Sequence, residues 1–121
     1  EKQTDPLKRI ARIRMDNAEK LTQRNQTSLA ERELDMATEA LNKLLAIEPN
    51  NLDALYQMGE ALESKGEYCE AIDSFQKILR DVDPNYQMAQ AKIEQDRGLC
   101  AQERQLRGGG ARGGARRSAD Q

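Results

Sequence analysis

The sequence has no histidine and no tryptophan, one phenylalanine and three tyrosines, and only two cysteines in 121 residues. Each shortage excludes something. Without His, a general base would have to be a tuned carboxylate or Lys, and no motif sets one beside a nucleophile or a phosphate-binding loop. An enzyme is therefore not expected. Cys69 and Cys100 stand 31 residues apart with no neighbouring ligand set, so neither a metal site nor a cofactor is expected. Two thiols in a helical chain point to a reducing compartment and a cytoplasmic protein, with Cys69 facing outward as a free thiol. No apolar run approaches the roughly 18 residues that cross a bilayer. No secretory signal is visible, and the chain opens on Glu1 rather than Met, which points to a missing upstream part.

What is present is charged and helical in pattern. The hydrophobic fraction is 37% and the mean hydropathy −0.90, low for a self-sufficient globule and suited to a thin, solvent-rich helical array. Charge is unevenly spread: residues 1–24 carry +3, residues 25–96 carry −9 and residues 97–121 carry +4. An acidic middle lies between two basic ends, which can approach it, or a neighbouring molecule, electrostatically.

The stretch from Asn51 to Asn85 organises the rest. Leu52, Leu55, Met58 with Gly59, and Leu62 recur at steps of three and four, the spacing of one helical face. Lys65-Gly66-Glu67 interrupts, because Gly66 can take the positive φ that ends a helix. Tyr68, Ala71, Ile72, Phe75, Ile78 and Leu79 then form a second stripe. Gly59 and Ala71 are small residues that let two facing helices approach closely. Pro84 closes the unit.

This order of residues resembles a tetratricopeptide repeat: Leu55 where the family usually has Trp, then Met58-Gly59, Leu62, Gly66-Glu67-Tyr68, Ala71, Phe75, Ile78 and Asp83-Pro84-Asn85. The closing turn is about one residue longer than the family pattern. Setting Arg32–Leu45 under Gly66–Leu79, a shift of 34, places Ala37 on Ala71, Leu41 on Phe75 and Leu44 on Ile78; Glu48-Pro49-Asn50 then stands for Asp83-Pro84-Asn85, one residue further on. A second, degenerate repeat is expected over residues 18–50, its first helix lying near Ala18 to Glu31, where only Leu21 falls on a signature position.

The remaining segments follow from pattern. Residues 1–5 read as frayed, and residues 6–24 as a basic amphipathic leading helix started by Asp5-Pro6, with Leu7, Ile10, Ala11, Ala18 and Leu21 on one face. Asn25-Gln26-Thr27-Ser28 is the expected interruption after it. Residues 86–106 read as a capping helix with a polar outer face. The Gly/Arg-rich tail, residues 107–121, holds five of the eight glycines and no large apolar residue after Leu106, and is expected to be disordered. The expected architecture is all-α, a helix-turn-helix solenoid (an α-α superhelix) of about two repeats, residues 18–50 and 51–85, plus leading and capping helices.

The resemblance implies a non-catalytic protein-protein interaction module, a scaffold or adaptor. It places Asp53, Tyr56, Gln57, Glu60 and Glu63 on the concave surface, where partners bind. Family members that clamp a chaperone's C-terminal carboxylate use Lys, Arg and Asn at such positions. Here Tyr56 and Glu60 occupy two of them, with Thr22 and Gln26 one repeat earlier, which argues against such a clamp. The groove is expected to prefer basic or neutral helical peptides, set against the alternative of an acidic face that is merely solvated. With so few repeats, the apolar face of residues 7–45 also suggests homo-oligomerisation or a longer array. A different class of function, RNA binding, is suggested by the basic leading helix and by Arg107, Arg112, Arg116 and Arg117, which would contact phosphates. No Phe or Tyr interleaves those arginines to stack on bases, so protein binding is the preferred reading.

Overall fold

Asn51 starts the central helix by accepting, through its side-chain Oδ1, a 3.0 Å hydrogen bond from the Ala54 amide. The computed structural model describes residues 3–110. Over that span five helices follow one another: α1 (Asp5–Gln23), α2 (Thr27–Ile47), α3 (Leu52–Ser64), α4 (Tyr68–Asp81) and α5 (Gln87–Gly110). No strand occurs among the described residues. The architecture is the expected all-α helical repeat, with α1 packed on α2, α2 on α3, α3 on α4 and α4 on α5.

The core forms where the sequence concentrates its aromatic residues. Phe75 is fully buried and shares one cluster with Leu41, Leu44, Leu55, Met58, Ile78 and Ile93. A Cβ built on Gly59 would overlap the Phe75 ring, so the ring lies directly on the α3 backbone. Tyr56 meets Phe75 edge-on at 5.4 Å between centroids and Tyr86 at 6.2 Å, which carries the aromatic packing from α4 to the start of α5. The Ser74 hydroxyl donates a 2.8 Å hydrogen bond to the Leu55 carbonyl across the same seam.

Two boundaries differ from the expectation. The first helix of the degenerate repeat, expected near Ala18 to Glu31, is broken by a turn at residues 24–26. Its place is taken by α1, the helix read from sequence as a separate leader, and α1 packs along α2 as a hairpin. Arg14 and Asn17 both reach Glu33 across that hairpin, at 3.1 and 3.2 Å. At the other end, α5 continues through residues 107–110, which the sequence had placed in a disordered tail. Arg107 pairs with Glu103 one turn back at 2.9 Å, an i,i+4 contact that supports the last turns. Residues 111–121 lie outside the described residues, and with them most of the expected tail.

The Gly59 contact yields a direct expectation. Gly59→Ala will lower unfolding free energy by about 2 kcal/mol, the usual cost of overpacking a filled core. Urea denaturation measures it, and the cost will be smaller in a Phe75→Leu background, where the ring that collides with the new methyl is gone.

Candidate binding groove

The turns that end α1 and α3 are built alike. Asn25 has φ 61° and Gly66 has φ 80°, the two left-handed positions among the described residues. Around Asn25 the amides of Arg24, Asn25, Gln26 and Ala30 donate to the carbonyls of Leu21, Thr22, Leu21 and Gln26 at 2.9–3.1 Å. Around Gly66 the amides of Lys65, Gly66, Glu67 and Ala71 donate to Leu62, Glu63, Leu62 and Glu67 at 2.9–3.2 Å. Each pair of equivalent residues is 41 apart, whereas the ends of α2 and α4 correspond at a shift of 34. The difference is a seven-residue elongation of α2, which has 21 residues to the 14 of α4. At the shift of 41, Ala18 stands for Gly59, Ala30 for Ala71 and Leu34 for Phe75. All three are buried, Ala18 and Leu34 in one small cluster with Ala61.

That correspondence locates the concave surface. Arg12, Met15, Asp16, Glu19 and Thr22 are the α1 counterparts of Asp53, Tyr56, Gln57, Glu60 and Glu63, and all five line a cavity of about 510 Å³ between α1 and α3. Met15, Ala18 and Leu34 supply apolar lining; Asp16, Glu19 and Glu60 supply carboxylates against the single Arg12 guanidinium. Of the five residues placed on this surface from sequence, Gln57 and Glu60 line the cavity. Asp53 is exposed in the first turn of α3 and is outside it. Tyr56 and Glu63 are engaged from the α5 side instead, Tyr56 by the ring of Tyr86, the residue just before that helix, and Glu63 by Lys92 at 3.0 Å. Gln26, taken from sequence as one repeat-equivalent groove position, sits at the N-cap of α2 and not on the first helix.

A model of the tetratricopeptide repeat matches residues 28–93, more than half of the chain. The chain belongs to the tetratricopeptide repeat family. A comparison with curated proteins and with solved structures gives no match. Within the tetratricopeptide frame the helices pair as α1 with α2 and α3 with α4, and α5 takes the position of a further first helix, lying beside α3 through Lys92 and Asp96. The α1 groove positions are hidden at a shift of 34, which aligns α2 with α4 but not the turn at Asn25 with the turn at Gly66. Asn25, one of the few non-glycine residue types that accept the left-handed turn, was the signal that would have corrected it.

The seam between α3 and α5 concentrates acid. Asp96 is 1% exposed, and its Oδ2, like Glu63 Oε2, has no other hydrogen-bond partner. Burial, the hydrogen bond with Glu63 and the charge of Glu63 push the Asp96 carboxyl up to about 7, with Lys92 acting in the opposite direction. A proton retained by Asp96 and donated to Glu63 satisfies both carboxyls. Burial is the largest single influence on the Lys92 ammonium and opposes it, but the hydrogen bond to Glu63 together with the charges of Glu63, Tyr56 and Glu60 outweighs burial, and its pKa is raised. Glu60, half-buried, is raised chiefly by burial; Lys92 is the next influence and lowers it, and Glu63 adds a smaller push upward. Lys92 itself lies 6.0 Å from the centre of the Tyr56 ring.

Farther along α5, Cys100 is joined to Cys69 by a disulfide, with 4.7 Å between the Cα atoms. This corrects the expectation of free thiols: α5 returns over the start of α4 and covers the side of Cys69 that would otherwise face solvent. The adjacent Glu103 carboxylate accepts a 3.1 Å hydrogen bond from the Cys69 amide in the first turn of α4, whose own N-cap residue, Glu67, makes no side-chain cap. Closing a loop of this length contributes about 3–4 kcal/mol in the chain-entropy account. Of the arginines proposed for RNA, Arg107 is exposed and paired with Glu103, and Arg112, Arg116 and Arg117 lie outside the described residues. Among the described residues no cluster of His, Cys, Asp or Glu has the arrangement to hold a metal ion, and no helix is long and apolar enough to cross a membrane.

The buried Asp96 sets a pH dependence. Its folded pKa, about 7, is above the ordinary carboxyl value, so the folded state holds a proton the unfolded state has released, and stability present at low pH is lost as pH rises through 7. Asp96→Asn keeps a donor for Glu63 and removes the titration. Thermal and urea unfolding at pH 5 and pH 8 will show the wild type losing roughly 2–4 kcal/mol relative to the variant across that interval.

Proposed function

We propose that this protein is a non-catalytic interaction module that binds a basic segment of another protein in the groove between α1 and α3. The observation that carries this is the composition of the cavity. Three carboxylates, Asp16, Glu19 and Glu60, border an apolar floor that includes Met15 and Leu34. A Lys or Arg side chain has the matching form, an aliphatic stem that lies along apolar surface and a charged head that reaches carboxylate. Glu60 strengthens the case: burial already disfavours its charge, and Lys92, the cation acting on it, is held by Glu63. A cation from a partner would complete it. Lys- and Arg-containing helical peptides will bind with an affinity that falls as salt is raised. Glu19→Lys with Glu60→Lys will weaken that binding by about 10-fold or more, the cost of replacing attraction with repulsion at a partly desolvated site. Fluorescence polarisation with labelled peptides reads both, and unchanged affinity in the double variant would discard the groove.

A specific surface also favours self-association as a second reading. Ile10 and Ile13 on α1, with Leu29 and Met36 on α2, are between 40% and 51% exposed, and Ile10 and Met36 border one shallow depression with Leu7 and Ala40. Light scattering over a range of concentrations will give twice the 13.7 kDa chain mass if this face pairs, and Ile10→Glu with Met36→Glu will return the monomer.

A further inference from the structure

Two helices overshoot α3 on the same side. Lys92 and Asp96 of α5 lie at Glu63, next to last in α3, and α5 runs on from there to Gly110, about 20 Å at 1.5 Å per residue. The α1–α2 hairpin overshoots as well, because its turn comes seven residues later relative to the common frame, about 10 Å of helix. Between them the α3–α4 turn forms the floor of a notch. Leu106 and Arg107 lie beside Lys65 and Gly66 of that turn, and Ser64, the residue just before it, lines the acidic groove together with Glu19 and Thr22. Leu106 and Arg107 of α5 are thus next to the turn that follows Ser64, the residue that borders the groove.

That segment, residues 111–121, reads ARGGARRSADQ and carries Arg112, Arg116 and Arg117 against one acid, Asp120. Its charge is opposite to that of the groove, where Asp16, Glu19 and Glu60 outnumber Arg12. At about 3.3 Å per residue, a fully extended chain would span roughly 20 Å from Gly110 to Arg116 and Arg117 and about 36 Å to its end.

We propose that the arginines of residues 111–121 occupy the groove between α1 and α3 of their own chain, so that an incoming basic partner has to displace them. The inference rests on the groove reading above and names the groove's first occupant. An attached segment competes at an effective concentration of the order of millimolar, so even weak contacts hold it in place. Partner binding then depends on whatever removes the arginines: proteolysis of the segment, neutralisation of its charge or raised salt.

The test uses the full chain and a full-length variant, Arg112→Ser with Arg116→Ser and Arg117→Ser. In amide NMR the substitutions will move the signals of Asp16, Glu19, Gln57, Glu60 and Ser64 and leave those of Phe75 and Ile78 in place. A synthetic peptide of residues 108–121, added in trans, will bind the variant about tenfold more tightly than the wild type, whose groove is already filled. Identical groove signals in the two chains, or equal affinity for the peptide, overturns the proposal. A tetra-arginine peptide run alongside separates the two readings. If it binds both chains alike and shifts the groove signals, the groove stands and its occupation by residues 111–121 falls; if it binds neither chain, both fall.

Discussion

The contact of the Phe75 ring with the α3 backbone at Gly59 fixes the spacing on which the rest of the molecule depends. With no Cβ at Gly59, α4 seats against α3 closely enough to bury Phe75 completely, and Tyr56 and Tyr86 extend the aromatic packing to α5. A chain with one Phe, three Tyr and no Trp has little other large side chain to spend. Elsewhere the interior is mainly Ala and Leu, with Met58, Ile78 and Ile93, and the first hairpin reproduces the same device in reduced form, with Ala18 near Leu34.

The second organising feature is electrostatic, and it works by exclusion. The α3–α5 seam gathers Glu60, Glu63 and Asp96 around the single ammonium of Lys92. Three ionised carboxylates in so little solvent would repel, and retaining a proton on Asp96 is the less costly arrangement. The seam nevertheless closes, because the apolar packing of Ala89 and Ile93 holds the beginning of α5 and the disulfide with Glu103 holds its middle. Once Tyr56 and Glu63 are spent on this seam they are withdrawn from the concave surface. The groove passes to α1 and the middle of α3.

Much of this was legible in the sequence, and what was not had a common cause. The Asn51–Asn85 hairpin could be read to the residue, since its small, large and turn positions each have a local physical reason. Helix α2 was legible from Ala37 onward because its packing repeats that of α4. The groove residues of α1 and the hairpin partnership of α1 with α2 were hidden by the elongation, because a single shift cannot align both the turn at Asn25 and the turn at Pro49. The Cys69–Cys100 bond was hidden because nothing in a helical pattern says that a later helix will return over an earlier N-terminus. Gln57 and Glu60 line the cavity between α1 and α3, and Tyr56 and Glu63 do not, for a related reason: which faces of α3 remain open depends on where α5 lies.

The seven added residues of α2 have a consequence for how such hairpins vary in length. Seven residues at 100° each rotate a helix by two turns less only about 20°, so Ala30 and Leu34 present nearly the same direction as Ala37 and Leu41. Two or five residues, rotations of about 160° and 140° from whole turns, would have swung the upper half of α2 out of line with α1 and left Ala30 facing water. Insertions into hairpins of this type are thus tolerated in steps of about two turns, and variation between related chains should appear as heptad-sized gains and losses at the helix-turn end, with the closing turn at the proline left in place.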